Sequence, residues 1–207
     1  MSALLPAIST KEIAILDEKI NLALIYGSIR TGRYCDTVVK WACTQIGRQH
    51  GFALDIVDPA KLSLSPPIER GENLDLEELK ERLERADAFI IVTPEYNHGY
   101  PAPLKHLIDS VNKEWQAKPV AFVSYGGVSG GLRAVEQLRQ VFAEVHATTM
   151  RNSVSFANAW EQFDERGNLF APARAEKSME MMLAQLRWWA SALKIARHKV
   201  PYSIVAT

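Results

Sequence analysis

Three short segments combine residue types that could do chemistry. The first is Gly27-Ser28-Ile29-Arg30-Thr31-Gly32-Arg33-Tyr34, which follows an apolar run and precedes a helix-like stretch. Backbone N–H groups at a strand-to-helix turn, backed by the helix N-terminus, form an anion site. Ser28 and Thr31 add hydroxyl donors, and Arg30 and Arg33 add fork-shaped cations suited to phosphate. The Gly-Lys-Ser/Thr ending of nucleoside-triphosphate loops is missing, as is the G-x-G-x-x-G of a dinucleotide pyrophosphate site. A monophosphate is the better fit. The competing reading is a glycine-turned surface loop with two incidental arginines.

The second segment runs Thr93-Pro94-Glu95-Tyr96-Asn97-His98-Gly99-Tyr100-Pro101-Ala102-Pro103-Leu104-Lys105. Its prolines and tyrosines make it stiff, irregular and rich in flat side chains, which suits a planar heteroaromatic ligand held by stacking and by backbone donors. His98 has no evident orienting carboxylate and is left out of the chemistry. The third segment is Ser124-Tyr125-Gly126-Gly127-Val128-Ser129-Gly130-Gly131, with four glycines in six positions from Gly126 to Gly131. Glycines there let backbone approach a ligand closely, and Gly127 is the position where a branched side chain should intrude. Gly127-Val128-Ser129-Gly130-Gly131 is also a formal G-x-S-x-G, the nucleophile elbow of serine hydrolases. That reading needs a later base, and only His146 and His198 follow Ser129.

These segments must be positioned by the elements between them. Leu22 to Tyr26, Phe52 to Val57, Ala88 to Val92 and Val120 to Val123 are short apolar runs, and a weaker one lies around Thr148 to Phe156. Amphipathic stretches alternate with them: Thr37 to Gln49, the segment after Asp75, Pro103 to Val111, Leu132 to Val145 and Ala173 to Arg197. Asp75 and Glu78 read as a capping box, with Glu78–Arg82 and Glu81–Arg85 as i,i+4 pairs on a solvated helix face. Strand–helix alternation of this kind predicts a parallel sheet with helices on both faces. Ligands of such sheets sit in the loops beyond the carboxyl ends of the strands, which are the three segments above.

Composition narrows the function. The 24 Lys+Arg balance 24 Asp+Glu, against the basic excess of a nucleic-acid binder. Apolar residues at 47% and charged residues at 23% are those of a folded globular chain. Cys35 and Cys43, if both helical, stand roughly 12 Å apart, too far for a disulfide, and two cysteines do not make a structural zinc site. No metal site is expected. Met1 to Thr10 has neither the basic start nor the long apolar run of a signal peptide, and nowhere does the chain show a membrane span, so a cytoplasmic protein is the expectation.

In combination and in order, the three loops resemble the NADPH-dependent FMN reductase family. Pro94-Glu95-Tyr96-Asn97, continuing to Pro101, Leu104-Lys105 and Ile108-Asp109, is the most specific element; the likeness runs from about Leu22 to the helix after Gly131. It implies a flavodoxin-like doubly wound fold with a five-stranded parallel sheet. The whole chain 1–207 is then one FMN-binding domain, with an N-terminal extension over 1–20 and a C-terminal helix over 172–197. The resemblance implies FMN as cofactor and NADPH as hydride donor, with a quinone, azo compound, metal oxyanion or free flavin as acceptor and no catalytic side chain. Gly27, Ser28, Arg30 and the backbone through Arg33 and Tyr34 would hold the FMN phosphate. Pro94, Glu95, Tyr96 and Asn97 would line the ring, and Tyr125, Gly126, Gly127 and Ser129 would meet its pyrimidine edge. Many relatives carry a small hydroxyl residue where Arg33 stands and an Asn where Cys35 stands, so a guanidinium here takes the place of a third phosphate ligand.

Two other functions fit parts of the pattern: a flavodoxin-type electron carrier without an NADPH site, and the G-x-S-x-G hydrolase. Carriers of the first kind are strongly acidic, whereas this chain is neutral. The last helix carries Met179, Met181, Met182, Leu183, Leu186, Trp188, Trp189 and Leu193 around much of its circumference. That distribution, with the resemblance, predicts a homodimer or homotetramer.

Overall fold

A computed structural model describes residues 18–64 and 73–205. The expected N-terminal extension and the signal-peptide question therefore fall almost wholly outside the described residues. The strands are β1 (Ile20–Tyr26), β2 (Phe52–Val57), β3 (Ala88–Pro94), β4 (Pro119–Gly126), β5 (Thr148–Thr149) and β6 (Val154–Ala157). The α-helices are α1 (Cys35–Gly47), α2 (Leu74–Arg85), α3 (Ala102–Asp109), α4 (Leu132–Glu144) and α5 (Pro172–Lys199). All strand pairs are parallel, in the order β2-β1-β3-β4-β5, with β6 also on β4. This is the expected doubly wound flavodoxin-like sheet.

Side chains alternate across a pleated strand, and two cores result. Leu22, Leu24, Ile90, Val92, Ala121 and Val123 face α1 and α5. Ala23, Ile25, Phe89, Ile91, Val120 and Phe122 face α2, α3 and α4, where Trp115 stacks edge-on between Phe89 and Phe142. Because β3 and β4 are buried along their whole length, both read as unbroken apolar runs.

Two local expectations are corrected. Asn73, not Asp75, caps α2: its Oδ1 accepts the Leu76 N–H at 3.0 Å, while Asp75 reaches back to the Ser63 N–H at 2.5 Å. The i,i+4 pairs do form, Arg82–Glu78 at 3.6 Å and Arg85–Glu81 at 3.9 Å, but Arg82 spends its fork on Asp55 of β2 at 2.9 and 2.7 Å. The fifth strand is split. Thr148–Thr149 pairs with Pro119–Val120 and Val154–Ala157 with Val123–Gly126, and the bend between them is clasped by Arg139, which donates to the Met150 and Arg151 carbonyls at 2.6 and 3.1 Å.

Within the protein itself, the steric demand for glycine in the third loop falls on Gly131. A Cβ on Gly127 would meet only Trp160, at 3.8 Å. Gly131 has φ +83°, and its Cβ would lie 2.8 Å from Ser124 Cβ and 2.9 Å from the Tyr125 N and O. Gly131→Ala is therefore expected to cost about 1–3 kcal/mol, lowering Tm by about 2–10 °C. Gly127→Ala should stay within about 0.5 kcal/mol of wild type. Thermal melts followed by circular dichroism check the contrast, and equal losses in the two variants would contradict it.

Candidate functional site

β1, β3, β4 and β6 end at one edge, and backbone bonds extend their ladder into the loops. Gly27 N–H donates to Val92 O at 2.7 Å, Glu95 N–H to Tyr125 O at 3.1 Å, and Asn158 N–H to Gly127 O at 2.9 Å. A Cβ on Gly27 would sit 2.8 Å from both Thr93 Cα and Val92 O, so only glycine lets β1 leave the sheet this close to β3. The three sequence segments are thereby brought together. A fourth loop, after β6, joins them.

In the first loop, Ser28 is buried and its Oγ lies 2.9 Å from the Tyr96 hydroxyl of the second loop. The Arg30 guanidinium stacks 3.8 Å from the Tyr96 ring centroid and has no carboxylate partner among the described residues. The amides of Thr31, Gly32, Tyr34 and Cys35 likewise have no acceptor among the described residues, and they lead straight into the N-terminus of α1. Consecutive amides of this kind at a helix start favour an anion carrying several acceptor oxygens. The loop therefore fits the phosphate of a mononucleotide.

The Arg33 side chain departs from the expected ligand role, while Tyr34 keeps its backbone N–H for it. The Arg33 side chain turns to Asp58 beyond β2, and the Tyr34 hydroxyl donates to Ala159 O at 3.1 Å. Burial pushes the Cys35 thiol up to about 11, and its Sγ donates to the Val92 carbonyl at 3.5 Å. Cys35 is consequently a protonated core residue at neutral pH. Tyr125 also turns inward, its ring 6.0 Å from that of Tyr34, so it offers the site backbone rather than a side chain.

The second loop closes as a two-residue hairpin. Tyr96 N–H donates to Gly99 O at 2.9 Å and Gly99 N–H to Tyr96 O at 3.0 Å, with Asn97 and His98 both at positive φ, 50° and 69°. That pair of left-handed residues defines the type I′ geometry. The α4 side chain of Gln137 donates to His98 O at 2.9 Å, so this histidine serves through its backbone. Glu95 ties the second loop to the third: its carboxylate accepts the Arg133 N–H at 3.1 Å and the Arg133 Nη1 at 2.7 Å. Although burial works to raise it, hydrogen bonds from Arg133 and the Ser129 hydroxyl hold the Glu95 carboxyl below the usual range. Glu95 thus caps α4 from another loop, a role invisible in the local sequence.

Ser129 is engaged with its own loop: its Oγ accepts the Gly131 N–H at 3.3 Å. His146 sits past the far end of α4, roughly 20 Å away by helical rise, on Tyr202 at 3.1 Å. His198 lies in the last turn of α5. Neither forms the base of a nucleophile elbow. No cluster of three or more His, Cys, Asp or Glu that could hold a metal occurs among the described residues. Sequence reasoning missed Asp58, which is distant in the chain, and Trp160, which lies 59% exposed beside Gly127 on the fourth loop. An isolated tryptophan between the last short strand and the final helix gave no signal.

Comparison with known proteins agrees with this geometry. The profile of the family described as NADPH-dependent FMN reductase matches residues 20–161. The NAD(P)H-dependent FMN reductase of Schizosaccharomyces pombe is 37% identical over 130 residues, covering 58% of this chain and 64% of that protein, a little under two thirds of its length. The NADPH:quinone oxidoreductase of Arabidopsis thaliana is 33% identical over 186 residues, covering 80% of this chain and 89% of that one. Among solved structures, the flavoenzyme NAD(P)H:(acceptor) oxidoreductase FerB of Paracoccus denitrificans superposes with TM-score 0.68 at 22% identity, covering 84% and 98% of the two chains.

The Glu95 link has a measurable pH signature. A carboxyl lowered in the folded state contributes stability that is present above its unfolded value, near 4.3, and is lost as pH falls through the folded one. Glu95→Gln should therefore be about 1–2 kcal/mol less stable than wild type at neutral pH, at the low end for a charge-assisted pair because Arg133 is half exposed. The gap should shrink below pH about 4. Denaturant unfolding of both proteins between pH 3 and 7 checks this, and a gap independent of pH would refute it.

Proposed function

Because the chain belongs to the NADPH-dependent FMN reductase family, we propose that it is an FMN-dependent oxidoreductase. It takes hydride from NADPH and delivers it to a small acceptor of the quinone class. The observation that carries this reading is the row of amides at the start of α1 without an acceptor among the described residues, set beside two further loops at the same edge. When bound, FMN would supply the two-electron redox chemistry between donor and acceptor.

The residues of this chain bind and orient. Ser28, Arg30 and the amides through Tyr34 hold the phosphate, with Gly27 setting the loop's exit from the sheet. The backbone of Pro94, Glu95, Tyr96 and Asn97 lines the flavin ring, and the hairpin with its two left-handed residues keeps those groups in place. Tyr125, Gly126 and Gly127 present backbone to the pyrimidine edge, and Ser129 keeps that loop in register through the Gly131 N–H. Fixed dipoles aimed at the ring edge stabilise charge that develops there on reduction. No side-chain base is needed. The neutral charge balance and the quinone-reductase relatives favour an enzyme over an electron carrier.

Three measurements test the reading. Purified protein incubated with FMN should oxidise NADPH in the presence of a quinone. Arg30→Ala should weaken FMN binding 10- to 150-fold, the worth of a charge-assisted hydrogen bond, while riboflavin binds both proteins almost equally. Ser129→Ala should lose no more than about 10-fold in NADPH oxidation and show no change in p-nitrophenyl ester hydrolysis. Esterase activity that vanishes with Ser129, in a protein that never oxidises NADPH, would overturn the assignment.

The exposed side of α5 supports self-association. Met179, Met182, Leu183 and Leu186 are buried against the sheet, yet Met181, Trp188 and Trp189 remain 46%, 65% and 41% exposed on the outside of the same helix. Large aromatics left outside a filled core fit a homodimer or homotetramer built on this helix. Light scattering at micromolar concentration should give a multiple of 23.2 kDa, and Trp188→Glu should lower it. A wild-type mass of one chain would refute the assembly.

A further inference from the structure

Arg33 stands in the loop assigned to the phosphate, yet its guanidinium is spent inside the protein. Nη1 donates to the Ser28 carbonyl at 2.5 Å and to Asp58 Oδ1 at 2.8 Å, Nη2 to Asp58 Oδ2 at 2.6 Å, and Nε to Asp36 Oδ1 at 3.0 Å. Four of its five N–H bonds are thereby used. The fork also lies 4.2 Å from the Tyr26 ring centroid, sandwiched against the end of β1. The Arg33 and Asp58 side chains are only 10% and 9% exposed, so this is no loose surface pair. Burial works to raise the Asp58 carboxyl, but Arg33 holds it below the ordinary range, and the hydrogen bond to Asp58 raises the guanidinium in turn.

Asp58 is itself anchored. It follows Val57, which is in register with Ile25 of β1, and its Oδ1 accepts the Ala60 N–H at 3.1 Å to start a short 3-10 turn. In dinucleotide-binding sheets an acid at the end of the second strand receives a ribose hydroxyl. Here both carboxylate oxygens are committed to Arg33 and Ala60. The strand beside the phosphate loop therefore supplies a fixed post, and Arg33 is the strut between that post and the Ser28 carbonyl.

We propose that Asp58 is a positioning residue for the phosphate: acting through Arg33, it fixes the Ser28 peptide and so aims the Ser28 hydroxyl and the following amides at one point. This rests on the phosphate reading above and deepens it. The charges support it. Arg33 is balanced by Asp36 and Asp58, which leaves Arg30 as the cation of the loop without a carboxylate partner among the described residues. Recognition of the phosphate must then come largely from oriented dipoles, and orientation is what the strut supplies.

The test measures dissociation constants of FMN and riboflavin by flavin fluorescence quenching in wild type, Arg33→Met, Asp58→Asn and the double variant. The ratio of riboflavin to FMN constants isolates recognition of the phosphate from folding and ring binding. Each single variant should lower that ratio about 10-fold, and the double variant no more than about 2-fold further, because both remove one device. Arg33→Lys should fall with Arg33→Met, since an ammonium cannot bridge the carbonyl and both carboxylate oxygens; it carries the same arm should the methionine variant fail to fold. A wild-type ratio in Asp58→Asn beside a lost ratio in Arg33→Met would make Arg33 a direct phosphate ligand and overturn the proposal. Additive losses in the double variant would also overturn it. Equal affinity of wild type for FMN and riboflavin would instead remove the phosphate reading itself, and the strut with it.

Discussion

The parallel ladder does not stop where the strands do. Its last rungs, from Gly27 to Val92, Glu95 to Tyr125 and Asn158 to Gly127, carry sheet hydrogen bonding one or two residues into the loops. A loop that begins on a paired backbone group has lost much of its conformational freedom before any ligand arrives. The rest of the site depends on this. The Ser28–Tyr96 contact, the hairpin at Asn97 and His98, and the cap of Glu95 on α4 are all possible because their parent segments leave the sheet at fixed heights. The cost is steric, and it appears as glycine at positions 27 and 131, where a Cβ would strike backbone.

Charged groups then join what the ladder leaves separate. At the carboxyl edge Glu95–Arg133 links the second loop to the third, and Arg33–Asp58 links the first to the end of β2. The opposite edge is closed by other residues: Asp87 receives Lys194 and Arg197 of α5 as well as the Asn21 N–H of β1. Lys118 donates to the Leu83 and Glu84 carbonyls at the end of α2, where burial lowers its pKa to about 8. Each pair spans elements far apart in the chain, so each resists relative movement of whole elements rather than adding local rigidity.

Periodicity made the sheet, its helices and their order legible in the sequence, because burial on one or two faces leaves its period in the residues themselves. The three loops were legible for the same reason, being the punctuation after apolar runs. What escaped was every partnership between segments. Asp75 and Asn73 are equally good caps by composition, and only the pull of the Ser63 N–H on Asp75 decides between them. Arg33 reads as a phosphate ligand until Asp58, 25 residues on, is seen to claim it. Gly127 and Gly131 look alike as letters, but a Cβ on one would meet only the Trp160 ring at ordinary contact distance and on the other the backbone of β4. The weak fifth run was read as one strand although Asn152 and Ser153 stand in its break, because what holds that break open is Arg139, a residue of another element, α4.

That break bears on how such a protein can diversify. The rear half of the strand, β5, completes the sheet, while the front half, β6, delivers the loop bearing Trp160 to the site edge. Between them, residues 150–153 pass outside the regular strands, and only β4 sees both halves. Adding or deleting a residue there would slide the front half along β4 while leaving the rear half and the two cores in place. Surface connections tolerate such length changes far better than strands do. Descendants of this chain could thus reshape the wall beside Gly127, and the molecules admitted there, without rebuilding the platform that holds the phosphate.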